Sequence, residues 1–292
     1  MKDTDFYFIA GLLKDRSGLF LTPEKIYLLD SRLLPIARKH GFPGLGELFN
    51  ALRSGGNEAI AGEVVDAMTT NETSFFRDHH PFEAFRKHIL PALIKRRENQ
   101  RALRIWSAAC STGQEPYSLA MILRDDFPQL AGWRIEILGT DLSPSVLERA
   151  RAGTYSTFEV QRGMPIKLLL RHFEEAPGGW RIRDELRRDI RFSSINLLNS
   201  ITALGTFDIV FCRNVLIYFD RPTKSAVLDK IAGRLAPDGA LFLGGSESIF
   251  GICERFSELQ GLRGVYAHAT AAAERASGQP PKEPNRIATR VA

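Results

Sequence analysis

The sequence predicts an α/β protein in which an all-helical N-terminal domain precedes a domain built on a mostly parallel β-sheet. Two patterns lead to this expectation. Over the first hundred residues, apolar side chains recur at helical spacing and the alternation typical of strands is missing. From about Arg101 onward, short apolar runs alternate with helical patterns, as in sheets that carry helices on both faces.

The helical domain is expected to span residues 1–78, with a linking helix over 79–100. Its first long helix follows Pro23 and stops before Gly41, and its apolar residues keep helical spacing. Pro35 lies inside this helix and is expected to kink or split it, because proline lacks an N–H and its ring clashes with the preceding turn. Further helices are predicted at Leu45–Leu52, Ala59–Met68 and Pro81–Arg97.

The α/β domain is expected over residues 101–270. Strands are predicted at Leu103–Ala108, Arg134–Gly139, Phe207–Cys212 and Ala240–Gly244, with two more short strands within Phe256–Ala267. A helix is predicted at Glu115–Arg124. Ser143 is a typical N-cap for another helix that starts at Pro144.

One segment interrupts the alternation of strands and helices. Trp180–Arg183 and Ile190–Ser193 read as short strands on either side of a charged turn. We interpret them as a small antiparallel hairpin inserted at about 178–195. The polar, proline-containing segment 271–292 is predicted to be a disordered tail.

Composition excludes several classes of protein. The 292 residues are 44% hydrophobic, which is typical of a soluble globular chain. Three cysteines lie far apart with no CxxC, so neither a disulfide framework nor a zinc site is expected. The first ten residues lack the apolar core of a signal peptide, and no run approaches the ~20 apolar residues of a membrane span; both points favour a cytoplasmic protein. The net charge of +5 is compatible with nucleic acid, an acidic protein partner or an anionic cofactor.

Ligands of open α/β sheets bind beyond the carboxyl ends of the strands. Three such ends carry suggestive residues: the small-residue loop Ser107–Gly113, the acid Asp141 and the segment Cys212–Asn214. The loop has no GxGxxG, and Asp141 follows Gly113 by 28 residues, more than the ~20 typical of dinucleotide folds. Both departures favour S-adenosylmethionine (SAM), a cofactor without a pyrophosphate. The alternative is an ordinary βαβ turn with a capped helix.

Five motifs occur along the chain in a fixed order. They are Asn71–Arg77 (NETSFFR), Ser107–Ser118 (SAACSTGQEPYS), Gly139–Ser143 (GTDLS), Phe207–Asp220 (FDIVFCRNVLIYFD) and Leu235–Ser248 (LAPDGALFLGGSES). In this combination, over roughly residues 5 to 270, the chain resembles the chemotaxis-receptor glutamate O-methyltransferase family, the CheR type. The resemblance implies an all-helical N-terminal domain followed by a Rossmann-like SAM-dependent methyltransferase domain with an inserted antiparallel β-subdomain.

The resemblance also implies roles for individual residues. Asn71, Thr73 and Arg77 would line the methionine end of SAM and the reaction mouth, Glu115 would bind its amino group, and Asp141 would hold the ribose. Asn196 and Leu197 would flank the adenine, Arg213 and Asn214 would close the methionine side, and Tyr218 would lie near the acceptor. Simpler interpretations exist for several of them: a helix cap for Asn71 and Thr73, a first-turn acid for Glu115, a surface ion pair for Arg77 and a core aromatic for Tyr218.

The family's reaction converts receptor glutamates to methyl esters and SAM to S-adenosylhomocysteine. A glutamate is already ionised at neutral pH, with a reference pKa of ~4.3, so no general base is needed. We therefore expect Arg77 and Tyr218 to steer the carboxylate toward the methyl group. Arg32, Arg38 and Lys39 are expected to attract the glutamate-rich helices of the receptor's cytoplasmic domain.

Further expectations concern partners. In some family members the β-subdomain binds a receptor's C-terminal peptide, which makes the predicted hairpin a candidate for that contact. Arg213-Asn214-Val215-Leu216 replaces the NPPY-type motif of amino-methylating DNA enzymes, so nucleic acid is not an expected substrate. A monomer without membrane insertion is expected. The alternatives are a methyltransferase with another protein substrate and a non-catalytic SAM sensor.

Overall fold

The N-terminal part of the chain folds as a helical domain. The structure is a computed structural model that describes residues 2–55 and 57–271. The helices of this domain are α1 (Asp3–Ser17), α2 (Tyr27–Lys39), α3 (Leu45–Arg53) and α4 (Glu58–Met68). Their apolar faces meet in one core that includes Ile9, Leu33, Phe49 and Val64, all fully buried. The predicted domain therefore has its own hydrophobic core, as an independent layer of helices requires.

Pro35 does not split its helix, which was one of the two outcomes, a kink or a split, expected from the sequence. Helix α2 runs without interruption from Tyr27 to Lys39, with Pro35 in its interior. Leu33 and Ile36 on either side of the proline are buried in the helical core. The packing of these side chains outweighs the hydrogen bond that the proline removes.

A linking helix follows the helical domain. It consists of α5 (His80–Ala84), a π-helical turn (Phe85–Ile89) and α6 (Leu90–Arg97), which follow one another without a break. Phe82 and Phe85 on this helix pack against Phe211 of the following domain. The linking helix is thus part of the larger domain's core.

The larger domain contains a seven-stranded sheet with the order β6-β2-β1-β7-β8-β10-β9. Its strands are β1 (Ala102–Ala108), β2 (Arg134–Asp141), β6 (Ile190–Ser194), β7 (Phe207–Cys212), β8 (Leu235–Phe242), β9 (Phe256–Glu258) and β10 (Val265–His268). The first five strands in this order are parallel, and β10 is antiparallel to both neighbours. The predicted strands are confirmed, although β8 begins at Leu235, five residues before the predicted start.

Alternation along the central strands separates two apolar layers. Ile105 and Phe211 face one layer, whereas Trp106 and Val210 face the other, and all four side chains are fully buried. The helices that follow the central strands are α7 (Gln114–Asp126), α8 (Pro144–Ala152) and α12 (Arg221–Ala232). Ser143 caps α8 as predicted, because its Oγ accepts from the N–H of Val146. The sheet is therefore mostly parallel and is covered on both faces.

The inserted antiparallel sheet exists, but its predicted pairing is wrong. It has three strands in the order β3-β5-β4: β3 (Thr154–Tyr155), β4 (Phe173–Ala176) and β5 (Gly179–Ile182). Around it lie α9 (Thr157–Gln161), α10 (Ile166–His172) and α11 (Asp184–Arg187). The subdomain therefore covers about 154–182 instead of 178–195.

The second strand of the predicted hairpin belongs to the main sheet. Residues Ile190–Ser194 form β6, which pairs in parallel with β2. The partner of β5 is β4, across a turn in which Gly178 has a φ of +81°. The sequence does not distinguish β4 from β6 as the partner of β5, because both are short apolar runs. The tight glycine turn joins β5 directly to β4, so these two strands pair.

No helix of residues 2–55 and 57–271 is long and apolar enough to cross a membrane. The predicted tail over 271–292 lies outside the described residues apart from Ala271.

Candidate active site

A tight loop after β1 brings backbone to the carboxyl edge of the sheet. Ala109 and Ser111 have positive φ, and Gly113, with a φ of +93°, precedes α7. A Cβ on Gly113 would lie 2.9 Å from the Cβ of Ala150, so this position requires glycine both sterically and conformationally. The loop thus places Ala109, Cys110 and Ser111 along the cleft, next to Glu115 in the first turn of the 13-residue helix α7.

Asp141 ends the neighbouring strand β2 and lies against this loop. Its Oδ2 accepts from the N–H of Ser111 at 2.8 Å, and its Oδ1 accepts from the N–H of Ser143 at 3.0 Å. Burial raises the pKa of Asp141 above its usual value, while these backbone donors act in the opposite direction. Each oxygen keeps a further lone pair, so the carboxylate can accept from the hydroxyl groups of a ribose.

Arg213 and Glu115 form a buried ion pair at the centre of the edge. Arg213 Nη1 donates to Glu115 Oε2 at 2.8 Å, and Ser107 Oγ donates to Glu115 Oε1 at 2.8 Å. The Arg213 side chain is 2% exposed and the Glu115 side chain 11%. Nη2 of Arg213 also donates to the carbonyl of Arg77 and to Asp78 Oδ2, both at 2.8 Å. Arg213 therefore clamps the segment before the linking helix onto the sheet.

The segment Asn71–Arg77 forms one wall of the cleft. Ser111 Oγ donates to the carbonyl of Asn71 at 2.7 Å, and Ser118 Oγ accepts from the N–H of Phe76 at 3.0 Å. The guanidinium of Arg77 donates to the carbonyl of Glu72 at 2.7 Å. Arg77 has no ion-pair partner within 2–55 and 57–271, so its charge is available to an anion.

Asn196 joins the two domains as well as lining the cleft. Its Nδ2 donates to the carbonyl of Arg16 at the end of α1, at 2.7 Å. Its Oδ1 accepts from the N–H of Leu198 at 2.9 Å. Ser17 and Leu19, which follow Arg16, also line the cleft. The helical domain therefore closes the side of the cleft where Asn196 and its neighbour are expected to flank an adenine.

These walls enclose one cleft, whose empty space including its open mouth is about 970 Å³. The cleft is lined by all ten residues predicted to bind the cofactor or act in the reaction: Asn71, Thr73, Arg77, Glu115, Asp141, Asn196, Leu197, Arg213, Asn214 and Tyr218. The structure thus brings together five segments that are far apart in the sequence.

The three predicted receptor-binding cations do not line the cleft, and two of them have partners in the helical domain. Arg32 donates to the carbonyls of Met68 and Thr69 at the end of α4, at 2.9 and 3.0 Å. Lys39 pairs with Glu63 at 2.9 Å. Arg38 is exposed and has no side-chain partner in the described part of the chain.

Glu247 is a buried acid at the cleft that the sequence analysis did not single out. It follows β8 and accepts from the N–H groups of Asn214 and Ile217, at 2.8 and 3.3 Å. A signal existed, because this acid stands alone in the glycine- and serine-rich stretch after a predicted strand. Its donors in the fold, which also include the N–H of Gly244 at 2.7 Å, are backbone groups that no sequence pattern marks.

The donor set of the cleft suits SAM. Glu115 can accept from a cationic amino group, Asp141 can hold ribose hydroxyls, and the backbone of the β1 loop can approach closely. The buried Nε–H of Arg213 has no hydrogen-bond partner among the described residues. Fold and site together define the class of SAM-binding α/β methyltransferases.

Comparisons with known proteins assign the family. Residues 71–265 match the model of the CheR methyltransferase SAM-binding domain, and residues 4–69 match that of the CheR all-alpha domain. Chemotaxis protein methyltransferase 1 of Pseudomonas aeruginosa is 43% identical over 276 residues, which cover 91% of this chain and 98% of that protein. A chemotaxis protein methyltransferase of Salmonella typhimurium is 36% identical, covering 92% and 91%. The chain belongs to the CheR family of chemotaxis methyltransferases, and its cofactor is SAM.

Proposed function

We propose that this protein transfers the methyl group of SAM to glutamate side chains on the cytoplasmic helical domain of chemoreceptors, and thereby sets sensory adaptation. The products would be glutamyl methyl esters and S-adenosylhomocysteine. The names of its relatives support a role in chemotaxis, as chemotaxis protein methyltransferases. The chemistry of the cleft supports a carboxylate as the acceptor.

The cleft offers no general base. No histidine lines it among the described residues. Both oxygens of Glu115 and of Asp141 already accept hydrogen bonds. The third acid of the cleft, Glu72, is paired with Arg162 at 2.6 Å, and this pair lowers the pKa of Glu72 and makes it a weaker base. Burial raises the pKa of the Cys110 thiol well above its usual value, so this thiol is neutral at physiological pH. An acceptor that is already deprotonated at neutral pH, as a glutamate is, therefore suits this cleft better than an alcohol or a protonated amine.

The observation that carries the proposal is the unpaired charge of Arg77. The cleft is lined by two cations, Arg77 and Arg213. Arg213 is bound by Glu115 and Asp78, whereas the guanidinium of Arg77 has one hydrogen bond in the described chain, to the carbonyl of Glu72, and no ion pair. A guanidinium with donors to spare can hold a carboxylate through charge-assisted hydrogen bonds.

The reaction is then a direct displacement. A glutamate oxygen forms a bond to the methyl carbon, the carbon–sulfur bond breaks, and its electron pair stays on sulfur, which becomes a neutral thioether. No proton changes place. Arg77 holds the carboxylate, Tyr218, which also lines the cleft, orients it, and the walls of the cleft exclude water that would weaken the anion as a nucleophile.

Two surfaces outside the cleft would contact the receptor, helix α2 and the three-stranded subdomain. Arg38, exposed on α2 and without an internal partner, would attract acidic receptor helices, with Arg32 and Lys39 beside it on the same helix. The three-stranded subdomain would be the site for a receptor's C-terminal peptide. The protein would act as a monomer, because one chain supplies every wall of the cleft.

The experiment is methyl transfer from radiolabelled SAM to isolated receptor membranes. Ester formation is expected, seen as label that base releases as methanol. Base-stable label would indicate another acceptor group and overturn the proposal. Binding of S-adenosylhomocysteine without any transfer would support a non-catalytic sensor instead.

Two variants test the role of Arg77. Arg77→Ala is expected to lower kcat/KM for receptor by about 100-fold, the usual scale for a lost positioning contact. Arg255→Ala is the matched control, because Arg255 is exposed and does not line the cleft. Equal activity of the two variants, with Tyr218→Phe also unchanged, would contradict the assignment.

A further inference from the structure

Glu247 connects two loops that follow neighbouring strands. It lies after β8 and is 8% exposed. Its Oε2 accepts from the N–H groups of Asn214 and Gly244, at 2.8 and 2.7 Å, and its Oε1 accepts from the N–H of Ile217 at 3.3 Å. Three backbone donors that would otherwise be orphaned at strand ends are therefore satisfied by one carboxylate.

The segment held in this way forms the acceptor side of the cleft. Asn214, Val215 and Tyr218 all line it. Asn214 has a φ of +58°, in the left-handed region that a non-glycine residue occupies only when its surroundings hold it there. The bond from its N–H to Glu247 is a contact that stabilises this conformation.

Gly244 shows how closely the two loops approach. A Cβ at this position would lie 2.8 Å from both Glu247 Oε2 and Asn214 Nδ2, and 3.0 Å from Asn214 N. Real side chains do not tolerate such distances, so a methyl group would push Glu247 away from Asn214. Glycine at 244 is therefore a requirement of the same contact.

From these contacts we infer that Glu247 is a positioning residue for methyl transfer. It does not itself line the cleft. It sets the place of Asn214 at the cofactor and of Tyr218 at the mouth of the cleft by holding the backbone between them. The cofactor part of this inference rests on the SAM cleft, and the part concerning Tyr218 rests on the proposed function.

The test compares Glu247→Ala, Glu247→Gln and Gly244→Ala with a control, Glu258→Ala. Glu258 is a suitable control because its Oε1 accepts one backbone N–H, from Gly264 at 2.6 Å, away from the cleft. Measurements are the Kd for S-adenosylhomocysteine by calorimetry, kcat and KM for methyl transfer, and the thermal unfolding midpoint.

Glu247→Ala is expected to lower kcat by about 100-fold, the loss that a displacement of ~1 Å can cause, and to weaken S-adenosylhomocysteine binding. Glu247→Gln keeps one oxygen for Asn214 and Gly244 but turns an N–H₂ group toward Ile217, so its kcat should lie between those of Ala and wild type. Gly244→Ala should reproduce the kinetic defect while Glu247 is present. The control should lose stability without losing kcat.

The inference is overturned if folded Glu247→Ala and Gly244→Ala match the control in kcat and Kd. It is also overturned if activity falls only in proportion to the unfolded fraction. If Glu247→Ala does not fold, Glu247→Gln and Gly244→Ala decide the matter. Failure of the wild type to label receptors would instead refute the proposed function, while the Kd values still test the positioning of Asn214.

Discussion

Replacing Glu115 by glutamine should destabilise the fold strongly, because it leaves a buried guanidinium without its main partner. Glu115 Oε2 lies 2.8 Å from Arg213 Nη1, and the two side chains are 11% and 2% exposed, respectively. Breaking such a pair from one side costs about 3–5 kcal/mol. Arg213 keeps Asp78, although that side chain is 47% exposed and so a weaker partner. We expect the free energy of unfolding to fall by about 3 kcal/mol, at the lower end of that range.

Urea denaturation of single and double variants measures this effect. The control is Glu148→Gln, the same change on the exposed surface of α8. Arg213→Met combined with Glu115→Gln removes both charges, so the double variant should be less destabilised than the sum of the single ones, by 1 kcal/mol or more. Two results would refute the idea that Glu115 and Arg213 stabilise the fold as a pair. One is a decrease in the free energy of unfolding below ~0.5 kcal/mol for the single variants, and the other is a double variant whose decrease equals the sum of the single ones.

Three further predictions concern the domain contact, the helical domain and the ribose site. The Lys14 ammonium lowers the pKa of Asp220 to about 2. The stabilisation from this pair should therefore be complete above about pH 4 and disappear as pH falls toward 2, and Asp220→Asn should remove that part of the acid sensitivity in denaturation curves. Arg32→Ala should lower the melting temperature by uncapping α4, whereas Arg38→Ala should leave it unchanged and raise KM for receptor; the reverse pattern would contradict their assignments. Asp141→Asn should weaken S-adenosylhomocysteine binding at least tenfold in calorimetry. The amide has one oxygen in place of the two carboxylate oxygens, so a backbone N–H group and the ribose hydroxyls would compete for it.

Several parts of the fold and site follow from local sequence features. Leu103–Ala108 is a strand because its apolar run is short and bounded, and the cap at Ser143 follows from a serine before a proline. The position of Asp141 at a strand end was enough to predict a ligand-binding acid at the carboxyl edge of the sheet. The partners of Arg32 were not predictable in this way, because a basic helix face looks the same whether it meets a receptor or the end of α4.

By itself the sequence determined the periodic elements, the small-residue loop after β1 and the acids at strand ends, because each depends on neighbours a few residues away. Tertiary structure decided the rest. It paired Ile190–Ser194 with β2 instead of β5, and it placed Arg213 on Glu115, 98 residues away along the chain, and on Asp78, 135 residues away. This strand pairing and these ion pairs depend on which groups, far apart in the sequence, are buried together. Buried charges and backbone donors are excluded from water and need a partner within the protein. Only the folded structure determines which of these groups become partners, and it places the loop after β1 and the acids at the strand ends around one cleft.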